Sequence, residues 1–198
     1  MFLTRMELDI TKRHTMKALE SPNLIHGAVE SAFQGERERN LWRIDRLGGR
    51  YYLLLLSNQK PSLQHAISQF GLEGESWQTK SYQPLLERIE ENTTWRFRLT
   101  ANPTKSCKES SQNRGIVRAH ITTHYQEQWL AERCESCGFS LQPQEFSVVE
   151  SRWLKFYKGA NRKKPVSLLA VTYEGILTVT DKERFQATLQ KGIGRGKA

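Results

Sequence analysis

Residues 41–57 read LWRIDRLGGRYYLLLLS. Leu41-Trp42-Arg43-Ile44 and Arg50–Ser57 are strand-like runs on either side of Gly48-Gly49, which is a hairpin signal. Tyr51 to Leu56 is the longest apolar run of the chain. It suits a buried strand and falls well short of the roughly 20 apolar residues a membrane-spanning helix needs. Upstream, Phe2–Leu8 roughly alternates apolar and polar residues and reads as a strand. Residues 21–33, SPNLIHGAVESAF, read as an amphipathic helix, with Ser21 as N-cap and Pro22 at the first helical position. Downstream, Pro61–Phe70 places Leu63, Ala66, Ile67 and Phe70 on one helical face and stops at Gly71. A strand follows within Ser76–Tyr82. The order β-α-β-β-α-β is the ferredoxin-like arrangement.

The stretch QPLLERIEEN, residues 83–92, contains Pro84 and a short acidic run, and it separates a first domain, 1–85, from a second, 93–198. The second opens on the strand Thr94-Trp95-Arg96-Phe97-Arg98-Leu99. Thr123–Cys137 reads as a helix that stops at Gly138. Phe146–Lys158 and Val166–Val179 read as strands joined by a basic turn, and Asp181 caps a last helix from Lys182 to about Gln190. This again approximates β-α-β-β-α. The fold class is therefore α+β, with two tandem ferredoxin-like (RRM-like) domains and antiparallel sheets, although the halves show no residue-level repeat.

The charge is unevenly placed along the 198 residues. Residues 1–94 hold 12 Lys/Arg and 12 Asp/Glu, whereas residues 95–198 hold 18 and 9, so the second half carries the whole net charge of +9. Such asymmetry points to a polyanion, with nucleic acid the leading candidate and a cationic solvated surface the alternative. Three cysteines, an odd number, fit a reducing compartment better than a disulfide framework. The N-terminal MFLTRMELDI puts Arg5, Glu7 and Asp9 where a secretory signal has apolar residues, so a cytoplasmic protein without membrane contact is expected.

Four features bear on chemistry. Arg152, Lys155, Lys158, Arg162, Lys163 and Lys164 form an acid-free cluster between residues 151 and 165, interleaved with Trp153, Phe156 and Tyr157. A basic hairpin of this kind can follow the phosphates of an A-form RNA stem, whose base edges lie in a deep groove. It can also be an exposed turn whose lysines discourage edge pairing. In WRFRLTANPTK, Arg96 and Arg98 share one face of a strand and Trp95, Phe97 and Leu99 the other, with Lys105 following. The closing GIGRGK places Gly192, Gly194 and Gly196 among Arg195 and Lys197. It is neither a phosphate-binding P-loop nor a dinucleotide fingerprint, but it lets the backbone approach a phosphate. His120, His124, Cys134 and Cys137 can be drawn as a zinc site, but Cys134 and Cys137 end a helix that looks sufficient without metal.

His26 is the remaining candidate. At about 100° per residue, Leu24, Ile25, Ala28, Val29, Ala32 and Phe33 form one apolar stripe, and His26 lies roughly 110° from its centre. That places it at the border of the core, where it meets solvent or ligand.

The pieces FLTRMEL, PNLIH, LWRI, FRLTANPTK, YEGILTVTD and LQKGIGRGKA occur in one order along nearly the whole chain. Through them the sequence resembles the CasE-type CRISPR RNA-processing endoribonucleases of type I-E Cascade complexes. The resemblance implies tandem ferredoxin-like domains. It also implies cleavage of CRISPR precursor RNA at the base of the repeat stem-loop, with no metal or other cofactor. The product, the crRNA with its 3′ handle, would stay bound alongside other Cascade subunits, above all the backbone subunit. His26 falls where that family has a catalytic histidine, and the basic residues named above become RNA-binding candidates. The sequence departs from the family in two places. Asn23 stands where relatives carry a catalytic tyrosine, and the chain ends at Ala198, where their loop continues into further glycines and a short apolar end. Two other readings stay open: a non-catalytic RNA-stem-loop-binding subunit, supported by Asn23, and a zinc-dependent interaction domain.

Overall fold

The computed structural model describes residues 1–35, 38–107, 116–157 and 165–194. These divide into two compact units, one of residues 1–87 with 154–166 and one of residues 88–153 with 167–197.

The first unit is built on β1 (Phe2–Leu8), β2 (Leu41–Leu47), β3 (Arg50–Ser57) and β4 (Gln78–Ser81). They form an antiparallel sheet in the order β2-β3-β1-β4, the ferredoxin-like strand order. The β2–β3 hairpin closes with Leu47 opposite Arg50. Gly48 and Gly49 sit at φ 57° and 84°, the left-handed pair that a tight two-residue hairpin turn needs.

Three helices cover one face: α1 (Arg13–Glu20), α2 (Pro22–Glu30) and α3 (Gln64–Phe70). Ile25, Ala28 and Val29 of α2 pack with Met6, Leu53 and Phe70 in the buried core, and Leu24 and Phe33 lie partly buried against it. Helix α1 is absent from the sequence reading; it buries Thr15 and Ala18 and packs Leu19 partly buried against the core, a short apolar side set among Arg13, His14, Lys17 and Glu20. Helix α2 stops at Glu30, short of the expected end. Ser21 does not cap it with its side chain; its backbone N–H instead closes α1 on the Lys17 carbonyl at 3.0 Å. Helix α3 starts at Gln64, later than expected. A short helix, α4 (Gln83–Glu87), occupies the start of the expected linker.

The second unit holds β5 (Thr94–Ala101), the hairpin of β6 (Thr104–Cys107) and β7 (Ile116–Ala119), α5 (Thr123–Ala131) and the short β8 (Phe139–Ser140). It also holds β9 (Phe146–Tyr157) up to Trp153 and β10 (Pro165–Val179) from Ser167, the remaining residues of both strands counting with the first unit, and then α6 (Lys182–Lys191). Strand β10 pairs with β5, β8 and β9. The β6–β7 hairpin was not anticipated, because Ile116 and Val117 are exposed and the pair shows no buried face. Helix α5 ends six residues earlier than expected, and a 3-10 turn over Glu135–Cys137 precedes Gly138. Asp181 caps α6 as expected, accepting from the Arg184 N–H at 2.9 Å. Among the described residues no helix is long and apolar enough to cross a membrane.

Candidate active site and RNA-binding surface

In the first unit, His26 stands on α2 with Ile25 fully buried beside it and its own side chain 48% exposed. The stripe of small and branched residues holds one helical face in the core, and the next face outward carries the imidazole. Its Nε2 lies 3.8 Å from Oε1 of Glu30, one turn on. Asn23 is one turn earlier, and its Oδ1 is buried with no hydrogen-bond partner among the described residues. Lys155, on β9, is exposed and belongs to the same unit as His26.

In the second unit, β5 alternates as its sequence implies: Arg96 and Arg98 are exposed while Trp95, Phe97 and Leu99 are partly buried. Arg98 pairs with Glu174 across the ladder at 3.1 Å. Arg152 is exposed, with Nε 3.7 Å from Glu150. Trp153 beside it is 49% exposed, a large aromatic surface among cations. Lys158, Arg162, Lys163, Lys164, Arg195, Gly196 and Lys197 lie outside the described residues.

Lys105 and Gly194 converge on a cavity of about 310 Å³. Thr104 and Ser106 of β6, His120 and Arg133 complete its wall, with Trp129 as an apolar floor and Glu132 at one side. Gln126 is buried and sets this geometry. Its amide donates to the His120 and Ile121 carbonyls at 2.9 and 3.1 Å, which ties the segment after β7 to α5. The Arg133 guanidinium lies 4.2 Å from the Trp129 ring centroid and donates to the Trp129 carbonyl at 2.7 Å. Both contacts hold the cation over the indole. Gly194, at φ 79°, approaches so closely that a Cβ there would sit 2.8 Å from the indole. Burial, with the Lys105 cation adding to it, pushes the His120 imidazole below the usual histidine range, so it is neutral at pH 7. Sequence reasoning took His120 only as a possible zinc ligand and did not single out Tyr125, Arg133, Thr104 or Ser106 as site residues.

Cys134 is a core residue. Its thiol donates to the Leu130 carbonyl at 3.4 Å, and burial, with the Cys137 thiol adding to it, pushes its pKa up to about 12. The thiolate is the reactive form. At pH 8 a disulfide-exchange reagent should therefore modify Cys107 and Cys137 in the folded protein and reach Cys134 only after denaturation. Equal rates at all three would contradict the burial.

The profile of the CRISPR associated protein family matches residues 1–198, the whole chain. The chain is a CRISPR-associated protein. It is 29% identical over 209 residues to the CRISPR-associated endoribonuclease Cse3 of Thermus thermophilus, covering 100% of this chain and 95% of that protein. The structure of Thermus thermophilus Cse3 bound to an RNA representing a pre-cleavage complex superposes with a TM-score of 0.78 at 25% identity, covering 99% of this chain and 93% of that one. The CRISPR-associated protein Cas6e of Escherichia coli K-12 shares the fold, with a TM-score of 0.60 at 18% identity over 100% of this chain and 94% of that one. The resemblance read from the motifs to the CasE-type family thus holds along the full length of this CRISPR-associated protein, and so does the tandem ferredoxin-like α+β fold.

Proposed function

We propose that this CRISPR-associated protein is a metal-independent endoribonuclease. It cuts CRISPR precursor RNA at the base of the repeat stem-loop and then keeps the mature RNA as a subunit of a type I-E Cascade complex in the cytoplasm. The relative at 29% identity is an endoribonuclease by name, and related structures include RNA-bound Cse3 and CRISPR RNA-guided surveillance complexes. The observation that carries the reading is His26, the histidine of PNLIH, standing exposed on a helix whose other face is locked in the core.

RNA supplies its own nucleophile. The 2′-oxygen attacks the adjacent phosphorus, the P–O5′ bond breaks, and the products are a 2′,3′-cyclic phosphate and a 5′-hydroxyl. The 2′-hydroxyl loses one proton and the leaving 5′-oxygen gains one. Histidine suits either transfer, because its ordinary pKa of about 6.5 lies near the working pH. Asn23 forms hydrogen bonds but is a poor proton donor, so His26 is the proton-transfer group of its helix. The enzyme must also hold the three reacting atoms in line and offset charge on the phosphorus. Lys155, Arg152, Arg96, Arg98 and Lys105 are the described cations assigned to the RNA backbone. Lys158, Arg162, Lys163 and Lys164 extend that set, as does the loop of Gly192, Gly194, Arg195, Gly196 and Lys197. The working domains are 1–85, carrying His26, and 93–198, carrying most of the RNA surface.

The test is incubation of end-labelled repeat stem-loop RNA with the protein in EDTA. The expected outcome is one cut at the stem base, leaving a cyclic phosphate and a 5′ end that a kinase labels without prior phosphatase. Binding without cutting favours the non-catalytic subunit, and a 5′-phosphate product would rule out 2′-hydroxyl attack.

A further inference from the structure

The cavity beneath Gly194 does not fit a duplex. Its volume of about 310 Å³ sits at the lower end of the range for small-ligand sites, enough for one nucleotide and far too small for an A-form stem. Its lining is matched to a nucleotide. Lys105 and Arg133 bring two cations. Glu132 is the one acid of the lining among the described residues, and it accepts from the Gln128 amide at 3.0 Å and lies 3.9 Å from Arg133.

Beside the cavity stands Tyr125, on the first turn of α5 and 52% exposed. Its ring lies 5.9 Å from the imidazole of the lining residue His120, and Lys105 Nζ is 6.0 Å from its centroid. An exposed aromatic ring next to a cationic pocket is the pairing by which proteins take single-stranded RNA: the unstacked base lies on the ring and the phosphate on the cations.

We propose that this pocket holds one unpaired nucleotide of the RNA adjoining the stem, with its base stacked on Tyr125 and its phosphate on Lys105 and Arg133. The inference rests on the RNA-processing reading above and adds a subsite for single-stranded RNA to it. Tyr125 is a specificity-determining contact in this scheme, because a stem alone presents no free base to it.

The experiment compares three fluorescent RNAs by anisotropy, each with a 2′-deoxynucleotide at the expected cut so that none is cleaved: the blunt repeat stem-loop, and the same stem-loop with four unpaired nucleotides on its 5′ side or on its 3′ side. The quantity read is the ratio of affinities, extended over blunt. In the wild-type protein one extension should raise it above one. In Tyr125→Ala that ratio should fall about 5- to 20-fold, within the range for losing one base stack, and in Tyr125→Phe, which keeps the ring, it should stay at the wild-type value. A wild-type ratio of one for both extensions overturns the proposal, as does an unchanged ratio in Tyr125→Ala. If the wild-type protein still binds and cuts the repeat in those cases, the RNA-processing reading stands and only the subsite falls. If it binds no RNA at all, both fall.

Discussion

His26→Ala is expected to slow cleavage of the repeat RNA by about 10²- to 10⁴-fold, the range for removing a positioned general acid or base. Binding of the stem-loop should change little. The side chain is 48% exposed and stands outside the packed core, so no cavity is made. Alanine is the best helix former, so α2 keeps its shape. The loss of the Glu30 partner at 3.8 Å costs at most about 0.5 kcal/mol, the worth of an exposed i,i+4 pair. Single-turnover rates with saturating protein in EDTA isolate the chemical step from product release, and anisotropy gives the affinity. A variant that cuts at the wild-type rate would remove His26 from the mechanism. A variant that cuts slowly only because it binds weakly would move His26 from proton transfer to RNA contact.

The placement of His26 at the border of the core was legible in the sequence because one helix carries it, whereas its catalytic role was implied only by the resemblance to the CasE-type family. The stripe of Ile25, Ala28, Val29 and Ala32 has helical period, and the rotation from that stripe to His26 follows from arithmetic alone. The ferredoxin-like order of the first unit was legible for a similar reason. Gly48-Gly49 sits between two apolar runs, and the turn it makes is local. The nucleotide-sized pocket was not legible. It joins residues 104–106, 120, 129, 132, 133 and 194, which meet only once β7 is pinned to α5 through Gln126 and Gly194 has settled on Trp129. The one pattern visible in that region, two histidines followed by two cysteines, points toward metal. In the structure Cys134 is in the core, and among the described residues no group of three or more His, Cys, Asp or Glu side chains is placed to hold an ion. Helix α1 was missed because its apolar side is short, one buried alanine and the partly buried Leu19 among Arg13, His14, Lys17 and Glu20, so only eight residues carry its period.

Gly138→Ala should cost the second unit about 2–5 kcal/mol, from two separable causes. Gly138 sits at φ 79°, where a Cβ meets its own backbone at a cost of about 1–2 kcal/mol. It is also wedged against the start of α6. Its carbonyl accepts from the Thr180 and Asp181 N–H groups at 2.9 and 3.1 Å. A Cβ there would lie 2.5 Å from the Asp181 carbonyl oxygen and from the Phe185 nitrogen. Those are backbone atoms of a capped helix and cannot step aside as a flexible side chain does, so overpacking adds about 1–3 kcal/mol. Gly74 separates the two causes, because it has the same φ of 79° but nothing within 4 Å of its would-be Cβ. Gly74→Ala should therefore show the conformational cost alone. Urea unfolding, with amide exchange to place each loss in its own unit, should give a clearly larger shift for Gly138→Ala. Equal shifts would mean that the turn before α6 yields, and that the glycine stop of the 3-10 turn is a matter of backbone angle rather than of packing against the helix that leads into the Gly192–Gly194 loop.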